Sequence, residues 1–235
     1  MAGPSIPHID HDLLDVSNLL RTYDGSKTFP TNILGMSREL ELRELDAGHW
    51  IASNHSIVLS DIVFLREAAK EIADRIKSSG PEIVLTAESK SIYLAGKVAE
   101  SLGLSRFEVC RKSLKAYYKS PIATKIKSTI SGEESLILDS TSQATLKGRK
   151  VAIVDDVVTT GGNMLGMEKL VKISGGAAVV KACIWVEGVP LSYDALKARE
   201  NLVHLSTLPE FFDAEKLSKA RAEFESVRAE YLQGP

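Results

Sequence analysis

Unbroken hydrophobic runs recur along the chain, and stretches of helical periodicity separate them. VAIV at 151–154 and AAVV at 177–180 show no alternation with polar residues, which is typical of strands covered on both faces of a sheet. The helical stretches instead place apolar residues three and four positions apart. We predict strands at 82–87, 105–112, 150–156, 177–188 and 201–207, and helices at 60–79, 92–103, 161–175 and 213–231.

The order of these elements predicts the fold class. Strands that alternate with helices indicate βαβ units and a mainly parallel sheet flanked by helices. We therefore expect an α/β fold in one structural domain, with residues 1–59 as an N-terminal accessory (hood) region and residues 60–235 as the core with its C-terminal helix. Ser60 is a suitable N-cap for the first helix, and Gly80 is a suitable stop.

One long segment, 113–134, shows no hydrophobic periodicity. It is rich in Lys, Ser and Thr, and we predict a loop, with SLILDS at 135–140 as a strand beside it. Long loops without structure of their own inside compact domains are usually functional or disordered. We expect this loop to be a mobile lid, on which Tyr117 and Tyr118 serve either as seals or as ordinary anchors.

Composition and charge narrow the classes of protein to consider. A formal charge of -2 and a pI near 6.2 give no electrostatic reason to expect nucleic acid or an anionic membrane as partner. Apolar runs of membrane-spanning length and signal-peptide features are not seen in the sequence. Cys110 and Cys183 lie in apolar runs, so we expect buried thiols and a cytoplasmic protein.

The stretch VAIVDDVVTTGG at 151–162 carries the candidate chemistry. A buried strand runs directly into Asp155 and Asp156, at the end of the strand where ligands bind in open α/β sheets. Backbone N–H groups at the start of the next helix, with two hydroxyls and two glycines, suit a phosphate. This phosphate cradle consists of Thr159, Thr160, Gly161, Gly162 and Asn163.

Two carboxylates beside a bound phosphate require neutral hydrogen-bond donors or cations next to them. Sugar hydroxyls donate hydrogen bonds to carboxylates, and Mg²⁺ prefers oxygen ligands. The pattern therefore predicts a ribose 5-phosphate with a metal nearby, and Asp155 and Asp156 are candidate Mg²⁺ ligands through the ribose or through water. An isolated pair of aspartates more often starts a solvated turn, but here the whole stretch fits one site.

This stretch resembles the phosphoribosyl pyrophosphate signature of the type I phosphoribosyltransferases, in which an apolar strand, two acids and two apolar residues precede Thr-Thr-Gly-Gly. Val157 and Val158 occupy the two apolar positions. The segments 84–104 and 107–115 are similar to the matching region of adenine and xanthine phosphoribosyltransferases, and TFPTNIL at 28–34 resembles, more faintly, their segment near the purine. The resemblance implies that pyrophosphate is bound by the loop Glu88, Ser89, Lys90 and Ser91 and by the basic cluster Arg111, Lys112 and Lys115.

Several positions depart from the family pattern. Purine enzymes usually carry Gly at the position of Ser91, and adenine enzymes carry Arg at that of Lys90, where Lys keeps the charge but loses the bidentate geometry. Asn163 replaces a usual Thr. The glutamate in the mobile loop of adenine enzymes aligns with STISG at 128–132, which contains no acid. Glu133 and Glu134 are alternative candidates, and the sequence assigns neither.

The resemblance implies an enzyme in which a base nitrogen displaces pyrophosphate from C1 of the ribose, through a transition state similar to an oxocarbenium ion. Mg²⁺ would stabilise the departing pyrophosphate together with Lys90 and the basic cluster. The two aspartates would hold the ribose hydroxyls. The candidate catalytic residues are Asp155, Asp156 and Lys112, with Lys90, Arg111 and Lys115 as further cations.

The expected second substrate is a purine base, with adenine ahead of xanthine, hypoxanthine and guanine. Trp185 and Glu187 are candidate base contacts, although an aromatic residue in a strand is more often part of the core. A non-catalytic regulator that binds phosphoribosyl pyrophosphate and an orotate or uracil phosphoribosyltransferase are the alternatives. The resemblance also implies a homodimer, while the apolar spacing over 217–231 fits either a dimer seam or packing on the same subunit.

Overall fold

A five-stranded parallel sheet lies at the centre of the computed structural model, which describes residues 9–52, 60–128 and 132–233. The strands are β1 (Leu20–Thr22), β2 (Thr28–Ile33), β3 (Met36–Glu41), β4 (Arg43–Asp46), β5 (His49–Ile51), β6 (Ile83–Ala87), β7 (Phe107–Cys110), β8 (Ile122–Ser128), β9 (Gly132–Leu138), β10 (Lys150–Val158), β11 (Ala177–Glu187), β12 (Leu202–Leu208) and β13 (Glu210–Phe212). The helices are α1 (Val16–Leu19), α2 (Ile62–Ile76), α3 (Ile92–Ser101), α4 (Ser140–Leu146), α5 (Gly162–Ile173), α6 (Tyr193–Arg199) and α7 (Ala214–Gln233).

Helices cover the central sheet on both faces, as its unbroken apolar strands predict. The strand order is β12-β11-β10-β6-β7, and every neighbouring pair is parallel. Phe64 and Leu94 of α2 and α3 pack with Val154 on one face, while Met167 of α5 packs with Ile153 on the other. The predicted α/β class is confirmed, and β10 occupies the middle of the sheet.

A smaller sheet draws strands from both ends of the chain. Its order is β1-β13-β5-β4, so β13 at 210–212 lies between strands that come from the first 51 residues. β2 and β3 form a separate antiparallel hairpin. The short alternating segment ELELREL at 39–45 contributes to both β3 and β4. The division into a hood region and a core stays a prediction, and the small sheet includes a strand from beyond residue 59.

The first long helix begins one residue later than the capping signal predicts. Asp61, not Ser60, is its N-cap, because the Asp61 side chain accepts the N–H of Phe64 at 2.8 Å. Arg38 from β3 holds the same carboxylate at 2.6 Å. At the other end a short 3₁₀ turn at Lys77–Ser79 leads into Gly80, whose φ of 62° is left-handed. The predicted glycine stop is therefore confirmed.

The prediction that 113–134 is a loop without structure is wrong for its second half. β8 and β9 pair antiparallel from Ile122 opposite Leu138 to Ser128 opposite Gly132, and residues 129–131 lie outside the described residues. The hairpin packs on α5, where a side chain at Gly166 would meet Ile126 and Leu136. Within the described part of 113–134, residues 113–121 lie in neither a strand nor a helix.

Three short helices of the described residues were not predicted from the sequence. α1 precedes the first strand, α4 follows the hairpin, and α6 follows β11. The C-terminal helix was predicted, and its first apolar residues pack on the same chain: Leu217, Ala220 and Phe224 form one cluster with Leu20 and Phe212. Within the described ranges, no helix combines the length and the apolar character that a membrane span requires.

Candidate active site

The acid pair lies inside the central strand, near its carboxyl end. β10 continues through Asp155 and Asp156 to Val158, two residues beyond its predicted end. Asp155 is 4% exposed and Asp156 6% exposed, because β11 and β6 flank the strand and helices cover it. Carboxylates this deeply buried need hydrogen-bond donors around them. The two aspartates are therefore buried residues of a central strand and do not start a solvated turn.

Two neutral side chains supply hydrogen bonds to these carboxylates. Ser91, at the start of α3, places its Oγ against Asp155 Oδ1 and at 2.7 Å from Asp156 Oδ1, and the same Oγ accepts the backbone N–H of Asp156 at 2.9 Å. Asn163, at the start of α5, donates its amide N–H to Asp155 Oδ2 at 3.0 Å. The starts of α3 and α5 thus both supply contacts to the acid pair.

Burial sets the electrostatics of this cluster. It raises the pKa of Asp155 to about 7, and the nearby negative charge of Asp156 adds to the effect, while Ser91 and Asn163 oppose it. Burial also lowers the pKa of Lys90, against the attraction of Asp156 and Asp155. The ammonium of Lys90 is thus within electrostatic reach of both carboxylates. One cation and two carboxylates share a site where charges are costly, which is typical of functional sites.

The phosphate cradle connects β10 to α5. Gly161 has a left-handed φ of 76°, and a Cβ there would collide with the side chain of Ala198, so glycine is required on two grounds. Gly162 begins a helix of 12 residues, which presents its first backbone N–H groups and its positive dipole end to this turn. Thr159 and Thr160 add hydroxyls beside them. These features suit an anion, as the sequence predicts.

A pocket of about 800 Å³ opens beside the cradle. Thr159, Thr160 and Gly162 line it together with His49 of β5 and Glu210 of β13. A volume of this size is within the range of small-molecule sites. The described residues that line the pocket do not include the acid pair. The cradle lines the pocket and follows the acid pair directly in the chain, so it lies between the pocket and the two carboxylates in sequence.

The predicted pyrophosphate groups meet at the ends of two neighbouring strands. The loop Glu88–Ser91 follows β6, and the basic cluster follows β7, its parallel partner. Arg111 pairs with Glu88 at 2.7 Å, and Lys112 pairs with Glu134 of the hairpin at 2.6 Å. Glu88 therefore orients Arg111, while Ser89 is exposed. Lys115 donates to Ser113 at 2.6 Å.

The two candidates for a lid acid have different partners. Glu134 pairs with Lys112 of the basic cluster, while Glu133 pairs with the exposed Lys125 across the hairpin at 2.9 Å. Glu134 is therefore the acid that the structure brings to the predicted pyrophosphate groups.

The predicted base contacts have other partners in this structure. Trp185 is 2% exposed and stacks on Phe64 of α2, with ring centroids 5.5 Å apart, so it packs in the core. Glu187 is fully buried, and its Oε1 accepts the backbone N–H of Ala52 at 2.8 Å. The geometry therefore favours the core role for Trp185, and it gives Glu187 a contact with the segment that follows β5.

Arg199 is a site residue that the sequence did not single out. Its guanidinium is fully buried at the end of α6 and donates to the carbonyl oxygens of Gly188 at 2.9 Å, Thr159 at 3.1 Å, Glu187 at 3.3 Å and Leu13 at 3.4 Å. It therefore joins the cradle to the end of β11. An arginine within a polar stretch carries no signal in sequence that distinguishes it from a solvated one.

Taken by their chemistry, these groups define a class of protein. A cradle for a phosphate, two carboxylates suited to a polyol and a cluster of cations meet at the carboxyl edge of a parallel sheet, which is the ligand-binding edge of open α/β folds. The site is thus of the type that binds a phosphorylated sugar carrying a second anionic group.

Comparisons with known proteins identify the family. The model of the phosphoribosyl transferase domain matches residues 62–199. An adenine phosphoribosyltransferase of Lactobacillus johnsonii is 30% identical over 159 residues, which cover 67% of this chain and 85% of that protein. One from Thermosipho melanesiensis is 32% identical over 60% of this chain and 77% of its own length. The chain belongs to the phosphoribosyltransferase family, and the resemblance to its purine branch is confirmed.

Solved structures agree on the fold. The adenine phosphoribosyltransferase of Thermoanaerobacter pseudethanolicus superposes with a TM-score of 0.55 at 17% identity, covering 77% of this chain and 96% of that one. The Giardia lamblia enzyme, solved with 9-deazaadenine, gives a TM-score of 0.54 at 18% identity, covering 77% of this chain and 93% of that one. At these identities the likeness supports the fold and does not extend to individual side chains.

Proposed function

We propose that the protein transfers the 5-phosphoribosyl group of phosphoribosyl pyrophosphate to a purine base, adenine first, to give a nucleoside 5′-monophosphate and pyrophosphate. The observation that carries the proposal is the meeting of the buried acid pair with the phosphate cradle and the basic cluster at one edge of the sheet. The adenine phosphoribosyltransferases among its relatives support adenine as the base.

In the proposed reaction the bond between C1 and the pyrophosphate oxygen breaks, a base nitrogen forms the new bond to C1, and the N–H proton of the base is released to water or to the departing pyrophosphate. The electron pair of the broken bond leaves with pyrophosphate, so negative charge grows on the leaving group. Arg111 and Lys112 would receive that charge once pyrophosphate displaces Glu88 and Glu134 from them, and Lys90 and Lys115 would add to it. The side chain of Lys112 also contacts the hairpin, through Glu134.

The acid pair acts on the sugar in this proposal. As the leaving group departs, positive charge develops on the ribose ring, and the carboxylates of Asp155 and Asp156 stabilise it while they accept the hydroxyl protons of the sugar in hydrogen bonds. The cradle fixes the 5′-phosphate, and this keeps C1 at a constant position relative to the cations.

The residues present also fit Mg²⁺. Carboxylate oxygens of Asp155 and Asp156 have acceptor capacity beyond the bonds from Ser91 and Asn163, since each oxygen offers two lone pairs, and Mg²⁺ is commonly held by one or two carboxylates, waters and substrate phosphates. Bound there with the pyrophosphate, it would neutralise part of the leaving group's charge. Asp155 and Asp156 would hold it through the ribose or through water.

Three accompanying proposals concern the setting of the reaction. The segment 113–121, with the hairpin beyond it, would close over the reactants and exclude water, which otherwise competes with the base. Residues 1–59 would form the larger part of the hood beside the core at 60–235. The enzyme would act as a homodimer in the cytoplasm. Its mass in solution tests whether it is a dimer.

A screen of bases tests the function. The protein is mixed with phosphoribosyl pyrophosphate, Mg²⁺ and one of adenine, xanthine, hypoxanthine, guanine, orotate or uracil, and pyrophosphate release is followed. We expect turnover with adenine above the other purines and none with orotate or uracil. Turnover with orotate or uracil but with no purine would show that the proposed purine subclass is wrong. Binding of phosphoribosyl pyrophosphate without turnover of any base would indicate a regulator.

A further inference from the structure

The side chain of Ser91 does not do what a serine at a helix start ordinarily does. Ser91 is the N-cap of α3, yet its hydroxyl makes no capping hydrogen bond to the first turn. Serine is favoured at this position because its oxygen accepts an N–H of that turn. Here the hydroxyl is 1% exposed and lies between the carboxylates of Asp155 and Asp156. Its contacts therefore serve the acid pair and not the helix.

The Ser91 hydroxyl lies within hydrogen-bond distance of both carboxylates, and it donates its single proton to one of them at a time. Two buried carboxylates repel each other, and on a strand their side chains would otherwise turn apart. The Oγ of Ser91 contacts the Oδ1 atom of each aspartate and also accepts the N–H of Asp156, so it is itself held in place from β10. Asn163 fixes the second oxygen of Asp155. These contacts do not exhaust the acceptor capacity of the pair, because each carboxylate oxygen offers two lone pairs.

We propose that Ser91 is a positioning residue that holds the two carboxylates in the orientation in which they accept the ribose hydroxyls. This inference rests on the proposed function, because it assigns a role within that reaction. It differs from the role implied by family resemblance, in which the loop 88–91 contacts pyrophosphate: the Ser91 side chain contacts the groups that face the sugar. A preset orientation lowers the reorganisation needed when the ligand binds.

The direct test compares two ligands that share pyrophosphate but not ribose. Calorimetry in the presence of Mg²⁺ measures the affinity of wild type and Ser91→Ala for phosphoribosyl pyrophosphate and for pyrophosphate alone. We expect the first to weaken by about ten- to a hundredfold, the size of one hydrogen bond to a charged group. The second should change by less than about twofold, as for an independent site, and so should the KM of adenine.

A matched pair of variants separates positioning from packing. Ser91→Thr keeps the hydroxyl but adds a methyl group to a buried position, whereas Ser91→Ala removes the hydroxyl and keeps the Cβ. Positioning predicts that Thr retains more affinity than Ala, and a packing role predicts the reverse order. Ser174→Ala removes another buried hydroxyl, just after the end of α5, and should leave both affinities unchanged.

Ser91→Gly provides a second deletion if the alanine variant does not fold. Unchanged or tighter binding of phosphoribosyl pyrophosphate in a folded deletion variant overturns the inference, and so does an equal loss of affinity for pyrophosphate. Failure of the wild-type protein to bind phosphoribosyl pyrophosphate would instead contradict the proposed function, so the two failures are distinguishable.

Discussion

Asp155 is a buried residue whose charged form is disfavoured by its surroundings. It is a carboxyl group inside a central strand, and burial raises its pKa from an ordinary 3.8 to about 7, with the charge of Asp156 as the second cause. The folded state therefore binds a proton at this group more tightly than the unfolded state does. Above the folded pKa the protein keeps a buried charge at the expense of stability.

This buried charge predicts a dependence of stability on pH. Since the folded pKa lies above the unfolded one, the contribution of Asp155 is fully present below about pH 4 and is lost as pH rises through about 7. The free energy of unfolding of wild type should therefore fall between pH 5 and pH 8 by more than that of Asp155→Asn. Urea unfolding of both proteins at the two values, without ligand, measures the difference, and parallel pH dependence would show that Asp155 carries no such penalty.

The sequence could predict the acid pair and the cradle because they are contiguous. Twelve residues in one strand–turn–helix unit carry their own local geometry, and Gly161 at a left-handed turn is readable from its type alone. It could not predict that Ser91 contacts both aspartates, or that Arg199 holds the cradle, since these contacts join segments far apart in the chain. They form only when tertiary packing brings the start of α3 and the end of α6 to the end of β10.

At the scale of elements, the segment between β7 and β9 has two parts. The hairpin is paired along its length and packed on α5, whereas 113–121 carries exposed Leu114, Tyr117 and Lys119 with no strand or helix. A signal for the hairpin exists in the sequence. In β8 the buried Thr124 and Ile126 flank the exposed Lys125, which is strand alternation, but its many polar residues resemble a loop.

Trypsin should distinguish the two parts. Lys115 and Lys119 lie in the irregular segment and should be cut first, whereas Lys125 is in a paired strand and should resist longer. Phosphoribosyl pyrophosphate with Mg²⁺ should slow cleavage at Lys115 and Lys119 by severalfold if the segment closes over the ligand. Mass spectrometry of timed digests identifies the sites. Equal rates with and without saturating ligand, binding being confirmed separately, would rule out a lid.

At the scale of the whole molecule, one buried guanidinium connects distant parts of the chain. Arg199 donates to carbonyl groups of the N-terminal segment, the cradle and the end of β11. Burial lowers its pKa to about 10, while Glu210 opposes that shift. The arginine stays charged at neutral pH, and the carbonyl oxygens it binds would lose their donor if it were replaced.

Replacement of Arg199 should therefore affect stability and ligand binding together. Arg199→Met should lower the free energy of unfolding by about 3–5 kcal/mol, since it removes the donor to several buried acceptors. Arg199→Lys keeps the charge without the fork geometry and should also raise the KM for phosphoribosyl pyrophosphate through the cradle. The exposed Arg149→Met is the control. A stability of Arg199→Met equal to that of the control would contradict this role.

The overall architecture was predictable only in part, because part of it depends on pairing between segments that are far apart in the chain. Alternating strand and helix patterns along residues 60–208 indicate the parallel sheet, because each unit is local. The small sheet is not readable in that way, since β13 at 210–212 pairs with β1 and β5 from the other end of the chain. Short strands of three residues carry too little pattern to reveal their partners.

The measurement that tests the account most directly is the turnover of the double variant Asp155→Asn with Asp156→Asn. Both changes keep the shape of the side chains and remove their charge, so the fold should survive. Turnover of adenine and phosphoribosyl pyrophosphate should fall by at least about a hundredfold, roughly 2.7 kcal/mol of transition-state stabilisation. Glu223→Gln with Glu225→Gln, on the exposed face of α7, is the control for lost charge and should leave the rate unchanged. A folded acid-pair variant that turns over at the wild-type rate would contradict the account.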